Sequence, residues 1–411
     1  MSALSSITGD TAGEPIVAEG AREEHRPLTV LQVVPRLNLG GVERGTLEVT
    51  EAITAAGGRA IIATAGGQLS ARCMRAGGEI FEMNAATKNP FNILQNALIL
   101  RRLIREEQVH VVHARSRAPG WSAFLAARMT GTAFVTTYHG TYHENLPLKR
   151  LYNSVMARGR PVIAISEFIR DLIVERHRVD PDRIVVIHRG ADTNVFSEDV
   201  VGNERTAALA EAWGLLDDPR PMIMLPGRLT RWKGAETLIE AATRLKAMRG
   251  GADFLAMIVG DDGGSGYREK LEKRVLAVDA IDCIRLADAV SDMPAAYKLA
   301  SVVVSASTEP EAFGRVAVEA QAMGRPVVAT DHGGARETVV HGEGGWLYPA
   351  GDASALAAVL NEALEIDPSI QAHRAMAARA RVHSRYTVGA MQRATLSVYE
   401  WAAGRPFGQT L

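Results

Sequence analysis

The sequence predicts an α/β protein built as two Rossmann-like domains whose parallel sheets face a cleft. Three observations lead there. The chain has 411 residues, and a single hydrophobic core stops growing at roughly 250–300 residues, so two domains are expected. From residue 27 onward, short apolar runs alternate with segments of helical spacing, the pattern of parallel strands joined by right-handed crossovers. The alternation lapses into a polar stretch near residues 194–221 and then restarts. This divides the chain into residues 27–200, a linker at 201–221, and residues 222–386.

Taken in order, residues 1–26 carry Gly, Pro, Glu and Ser without an apolar h-region, so they read as a flexible tail rather than a secretory signal. The apolar run 28–34 ends in a loop at 35–41. Residues 42–56 have helical spacing, and Gly57-Gly58 supplies the stop. Runs at 60–64, 109–113, 133–137, 162–165 and 184–187 are further strands of the first domain. The linker holds one helical piece ending near Trp213. Beyond it, strands are expected at 222–225, 254–259, near Ile284, at 302–306 and at 327–330, with helices near 235–247 and 268–278. A last helix, 388–403, starts after Thr387, a residue type suited to an N-cap. Spacing alone does not say which domain it packs on.

Composition removes several function classes. A net charge of −1 lacks the basic excess of a dedicated nucleic-acid binder. Cys73 and Cys283 stand alone in separate halves, so they form neither a disulfide framework nor a cysteine zinc site, which fits a reducing compartment. No apolar stretch reaches the ~18 residues of a membrane-spanning helix. The sequences H-E-x-x-H, Walker A, G-x-S-x-G and the dinucleotide G-x-G-x-x-G are absent. Asp180-Pro181-Asp182 sits between a helix and a strand, where it is ordinary turn chemistry rather than a metal site.

Four strand-to-helix loops carry chemistry. After the run 302–304 comes a loop holding Glu311, Phe313 and Gly314, then a helix with Arg315, Val316 and Glu319, then a strand and Gly333-Gly334. Gly314 leaves space where the helix begins, and its free N–H groups with the helix dipole suit a phosphate. Glu311 in the loop and Glu319 in the helix can address one ligand from different heights. Taken alone, two glutamates read as solvated; the surrounding glycines and strands decide for a ligand. After the run 222–225, Gly227, Arg228, Arg231, Lys233 and Gly234 place three cations in one loop, suited to clamping a diphosphate, although a basic loop by itself can simply be solvated. Gly40-Gly41 opens a helix where backbone can approach a ligand. His139 stands just past a strand end, beside Gly140, where it can donate to a sugar or phosphate oxygen or act as acid or base, unless it is structural.

Together these windows resemble the retaining, GT-B-fold glycosyltransferases of family 4. The residues from Glu311 to Glu319 are similar to that family's E-x7-E motif. Gly227-Arg228 with Lys233-Gly234 resembles its diphosphate-binding motif, and Gly40-Gly41, His139-Gly140 and Ile165-Ser166 resemble its N-terminal pattern. The resemblance runs from about Leu28 to Trp401. It implies a nucleotide-diphosphate sugar donor in the C-terminal domain, a glycan or lipid-linked acceptor in the N-terminal domain, and a last helix crossing back to the N-terminal domain. It implies retention of configuration and catalysis that needs no metal or other cofactor. Arg228 and Lys233 would hold the diphosphate, with Gly227 in the same motif. Glu311 and the amides of Phe313, Gly314, Arg315 and Val316 would meet the donor sugar and phosphate. Glu319 would bind ribose, His139 would support sugar and phosphate from the other domain, and Gly41 would approach the phosphate.

More narrowly, residues 113–119 and 227–234 resemble bacterial enzymes of lipopolysaccharide-core or surface-polysaccharide assembly, with a lean to GDP-mannose as donor. Residues 28–200 hold 21 Lys+Arg against 16 Asp+Glu, a net of +5. Arg101, Arg102 and Arg105, beside Ile99, Leu100, Leu103 and Ile104, suggest a face for an anionic membrane surface, placing the protein in the cytoplasm at the inner membrane face. The alternative is an ordinary amphipathic helix. A nucleotide-sugar epimerase or hydrolase on the same scaffold, or a non-catalytic nucleotide-sugar binder, are the competing functions. The combination of Arg228, Lys233, Glu311 and Glu319 suits transfer better than either.

Overall fold

The computed structural model describes residues 27–38, 40–142, 144 and 146–407; the expected tail at 1–26 lies outside the described residues. The first domain alternates β1 (Thr29–Val33), α1 (Gly41–Ala55), β2 (Arg59–Thr64), α2 (Ser70–Arg75), β3 (Glu79–Glu82), α3 (Pro90–Glu106), β4 (Val111–Ala114), α4 (Arg117–Thr130), β5 (Ala133–Tyr138), α5 (Pro147–Asn153), β6 (Val162–Ala164), α6 (Glu167–His177) and β7 (Ile184–Val186). After α7 (Asn203–Ala212), the second alternates β8 (Met222–Pro226), α8 (Ala235–Arg249), β9 (Leu255–Val259), α9 (Tyr267–Ala277), β10 (Ile284–Ala287), α10 (Met293–Leu299), β11 (Val302–Ser305), α11 (Arg315–Ala322), β12 (Val327–Thr330), α12 (Ala335–Thr338) and β13 (Gly345–Tyr348). Helices α13 (Ala353–Glu365), α14 (Pro368–Arg385) and α15 (Val388–Ala403) close the chain.

Both sheets are parallel, in the orders β3-β2-β1-β4-β5-β6-β7 and β10-β9-β8-β11-β12-β13. Helices cover both faces, so the central strands are apolar throughout: β1, β8 and β11 are buried at every residue. The edge strands β3 and β13 have no counterpart in the sequence reading. β3 is short and polar at both ends, with its glutamates exposed, so it shows no apolar run. Each sheet reverses its strand order once, between β1 and β4 and between β8 and β11. Loops leaving the carboxyl ends of such strands form the crevice where ligands bind in doubly wound folds.

Helix α15 packs on the first domain, against α1 and β5. Met391, Leu396 and Tyr399 join the core formed by Val30, Ile53 and Val111, and Tyr399 Oη lies 2.6 Å from His113 Nδ1. The linker expected at 201–221 needs correction. Helix α7 lies inside it and packs on α10 of the second domain, Lys298 Nζ donates to the Val201 carbonyl at 2.6 Å, and Phe196 meets Tyr297 edge-on. A polar helix over an apolar partner reads as a linker in sequence because only one stripe of it is buried. The chain changes domain earlier. Ala191 forms a parallel bridge with Thr387, so both passages between the domains run side by side.

A second correction concerns α3. Leu100, Leu103 and Ile104, the apolar neighbours of Arg101, Arg102 and Arg105, are core residues. They cannot meet a membrane. The exposed apolar residues of α3 are Phe91, Leu94 and Leu98, toward its other end. No helix among the described residues is long and apolar enough to cross a membrane.

Candidate active site

Loops from the carboxyl ends of β1, β4 and β5 face those from β8 and β11 across a cavity of about 1100 Å³. It brings together Gly41, His139, Arg228, Lys233, Glu311, Phe313, Gly314, Arg315 and Val316. Gly227 and Glu319 are not in its lining.

The second-domain wall is built by two loops packed on one another. Lys233 ends a single 3-10 turn that Gly234 closes at φ +74°. A Cβ on Gly234 would lie 1.8 Å from the Ala306 carbonyl oxygen, so only glycine lets this loop sit against the end of β11. The approach sets Lys233 Nζ 2.8 Å from Glu311 Oε1 and 4.4 Å from the Trp232 ring centroid. Glu311 also accepts from the hydroxyls of Ser307 and Ser305. Burial alone would push its carboxyl up. The Lys233 ammonium and these hydroxyls outweigh burial and hold it below its ordinary value. Glu311 is therefore ionised at neutral pH, a weak base and a firm hydrogen-bond acceptor. Arg228, exposed at the cavity, has no ion-pair partner among the described residues. Gly314, at φ +91°, leads into α11 without any side-chain cap, so the first N–H groups of that helix face the cavity unclaimed. The Gly334 amide donates to the Glu311 carbonyl at 2.8 Å and steadies the loop from beneath.

Glu319, expected to address the same ligand as Glu311 from the helix, stands outside this lining. One turn into α11 it is buried, accepts from Tyr297 Oη at 3.1 Å, and stands 3.6 Å from Arg44 and from Arg315. Arg44 comes from α1 of the other domain, and Arg315 reaches Glu48 of that helix at 3.5 Å. These four residues join the domains beside the cavity. Gly227, at φ +142°, serves the loop backbone: its amide donates to the Val259 carbonyl, and its carbonyl packs against Gly260.

The first-domain wall holds His139 just past β5. Arg189 Nη2 lies 2.9 Å from His139 Nδ1. A guanidinium only donates, so Nδ1 is the acceptor and the ring proton sits on Nε2. That Nε2 is buried and has no hydrogen-bond partner among the described residues. Burial, then the charges of Arg189 and Arg115, push the imidazole well below its ordinary value, so it stays neutral. His139 thus offers an N–H donor to a ligand and is a poor base. Burial and Arg115 also push Arg189 down, to about 9, which leaves it charged at neutral pH. Gly41 begins α1, and a Cβ placed there would meet nothing within 4 Å, so that face is open to a ligand.

Between the walls, Ser166 Oγ donates to the Ala312 carbonyl at 2.6 Å. The amides of Glu167 and Phe168, at the start of α6, donate to the Glu337 carboxylate at 2.9 and 2.7 Å, and His188 Nε2 lies 3.1 Å away. Trp232, Arg189, Arg117 and Tyr142 also line the cavity, and the sequence motifs do not single them out as site residues. Their one signal in sequence is position in loops at strand ends. Among the described residues, no three His, Cys, Asp or Glu side chains gather as a metal site.

Comparison with known proteins fits this architecture. The family described as Glycosyl transferases group 1 matches residues 211–383, and Glycosyltransferase Family 4 matches residues 39–195. The D-inositol 3-phosphate glycosyltransferase of Mycobacteroides abscessus is 31% identical over 60% of this chain, and the chain spans 58% of that relative's length. A glycosyltransferase structure from Rickettsia africae is 35% identical, with a TM-score of 0.85 over 92% of this chain and 99% of that one. Anabaena HepE, solved with UDP-glucose, shares the fold at 22% identity, with a TM-score of 0.78 over 92% of this chain and 100% of HepE.

Proposed function

Given that the chain belongs to the group 1, family 4 glycosyltransferases, we propose that it moves a hexosyl group from a nucleotide-diphosphate sugar to a glycan or lipid-linked acceptor. Configuration is retained and no metal is required. The observation that carries this reading is one cavity wall on which unpaired Arg228, the Lys233–Glu311 pair and the free amides of α11 converge. That set matches a diphosphate joined to a sugar: cations and helix amides for the phosphate oxygens, a fixed carboxylate for sugar hydroxyls.

In the reaction, the bond between the anomeric carbon and the diphosphate oxygen breaks, and a bond from the acceptor oxygen forms on the same face. Arg228, Lys233 and the α11 amides stabilise the charge gathering on the departing nucleotide. His139 donates from Nε2 to the sugar or phosphate. Neither His139, kept neutral by its cationic neighbours, nor Glu311, held as a weak base, is suited to take the acceptor proton. The proton passes to the leaving phosphate. Glu319 serves ribose if nucleotide binding draws it from Arg44 and Tyr297. The setting is lipopolysaccharide-core or surface-polysaccharide assembly at the inner face of the cytoplasmic membrane, with GDP-mannose the favoured donor.

The test is nucleotide release from a panel of UDP-, GDP- and ADP-sugars, with and without a crude lipid-linked acceptor extract. Acceptor-stimulated release of one nucleotide, insensitive to EDTA and lost in Lys233→Ala, is the expected result. A new nucleotide sugar formed without acceptor would make the protein an epimerase instead.

A further inference from the structure

Helices α1 and α11 start at opposite walls of the cavity, and each carries an arginine four residues before a glutamate: Arg44 and Glu48 in α1, Arg315 and Glu319 in α11. Residues four apart share a helix face. Across the seam the two pairs interlock. Arg44 Nε lies 3.2 Å from Glu48 Oε1, and its Nη1 lies 3.6 Å from Glu319 Oε1. Arg315 lies 3.5 Å from Glu48 Oε1 and 3.6 Å from Glu319 Oε1. Each arginine touches both glutamates, so the domains meet in a closed ring of four charges.

The ring is uneven. The contacts to Glu48 are the shorter ones, and Gln392 Nε2 ties the Glu48 carbonyl to α15 at 2.7 Å. The contacts to Glu319 Oε1 are too long for hydrogen bonds, so charge alone holds that oxygen. Its partner oxygen accepts from Tyr297 Oη at 3.1 Å. Oε1 therefore keeps its capacity to accept. Arg315 lines the cavity, and Glu319, one turn further along α11, does not. Arg44 is the most exposed member of the ring. Its side chain is 40% exposed, against 20% for Arg315, 11% for Glu319 and 8% for Glu48. Its guanidinium rests 5.8 Å from the Phe196 ring centroid. Swinging off Glu319, Arg44 keeps Glu48 as a partner, and Glu319 keeps Arg315, so no half-buried charge is stranded.

From this geometry we infer that Arg44 competes with the ribose of the nucleotide for Glu319. The inference rests on the proposed role of Glu319 as the ribose ligand, and it adds a first-domain residue that tunes the same contact. Before a nucleotide binds, Arg44 neutralises Oε1 of Glu319. As it binds, the ribose hydroxyls donate to Oε1 and Arg44 falls back on Glu48. Binding thus exchanges an ion pair between the domains for hydrogen bonds to a diol. Arg44 weakens nucleotide affinity by the worth of that pair, and Glu48 limits the loss by offering Arg44 a second partner.

The test is calorimetry on the full chain with UDP, GDP and ADP, followed by the 2′,3′-dideoxy form of whichever binds most tightly. The ratio of the two affinities reads the ribose contact and cancels the diphosphate's own response to a lost cation. In Arg44→Gln the ratio is expected to rise roughly two- to fivefold, the worth of a partly exposed ion pair. In Glu48→Gln, which leaves Glu319 as the carboxylate of the ring for both arginines, the ratio is expected to fall. Arg44→Lys, which keeps the charge, is expected to stay near the unaltered value. Should Arg44→Gln fail to fold, the fall in Glu48→Gln carries the test. A ratio that either folded variant leaves unchanged, or moves in the opposite direction, overturns the competition while the ribose contact stands. A ratio of one in every protein overturns the ribose role of Glu319 and the competition with it. Binding of none of the nucleotides by any of the proteins overturns the transferase reading itself.

Discussion

The two domains share one topology and use it differently. Each sheet reverses its strand order once, and each reversal opens loops onto the same cavity. In the second domain Lys233 is tied to Glu311, and the pair is half-buried. In the first domain the cations are oriented by neutral groups: Arg117 by Asn153 and Tyr142, Arg189 by His139. A charge held against a carboxylate is fixed in place and ready for a ligand of mixed polarity. A charge held by an amide and a ring is fixed and still hungry for an anion. The difference between these cations lies in what they lean on, a carboxylate for Lys233 and neutral groups for Arg117 and Arg189.

Breaking the paired wall should have the largest effect. Lys233→Ala removes the proposed diphosphate contact and leaves Glu311 without its counter-charge, so its carboxyl rises. Turnover is expected to fall roughly 10²–10³-fold, as when one donor to a developing oxyanion is lost. Steady-state kinetics on the identified donor would show it, and retention of most activity would mean that the pair is structural. Next comes the contact that creates the pair. Gly234→Ala forces a Cβ into the Ala306 carbonyl at positive φ, costing about 1–3 kcal/mol, seen as a lower denaturant midpoint and weaker nucleotide binding.

The other wall is sharpened through its tautomer. Arg189→Met frees Nδ1 of His139 and removes a positive neighbour, so the imidazole rises toward its ordinary value. Activity should drop roughly tenfold, about the loss of one charge-assisted contact. Nitrogen NMR of the His139 ring should change from a single Nε2–H form to a mixture that titrates. An unchanged ring spectrum would remove Arg189 from its positioning role. The smallest effect concerns the seam between the walls. Burial pushes the Glu337 carboxyl up, but His188 and the α6 amides outweigh it and hold the carboxyl below 4.5. A depressed carboxyl contributes fully above its unfolded value, and the contribution fades as pH falls through the folded one. Glu337→Gln should cost about 1 kcal/mol or less at neutral pH and flatten the acid limb of the unfolding profile.

Much of the site was legible because its loops carry residue types with few other uses. Gly234, Gly314 and the cations from Arg228 to Lys233 sit at strand ends on the crevice side of the fold, and local sequence places them there. Glu319 was legible as a residue but not in its surroundings. Its partners Arg44 and Tyr297 come from distant segments, and nothing in the local sequence links 44, 297 and 319. The helical piece ending near Trp213 was legible, but its packing on the second domain was not, for a related reason. Polar composition follows exposure, and α7 buries only a narrow stripe on α10.

By itself, the sequence determined that two parallel sheets form and that glycine-rich and cationic loops lie at their carboxyl ends. Strand periodicity and glycine conformations are local properties of the chain. Which charges face one another was decided by the tertiary structure alone. Pairing Lys233 with Glu311, setting the His139 proton by Arg189, and leaving Arg117 without a carboxylate each depend on side chains 36 to 78 residues apart meeting in space. Electrostatic energy is a function of that distance, not of separation along the chain.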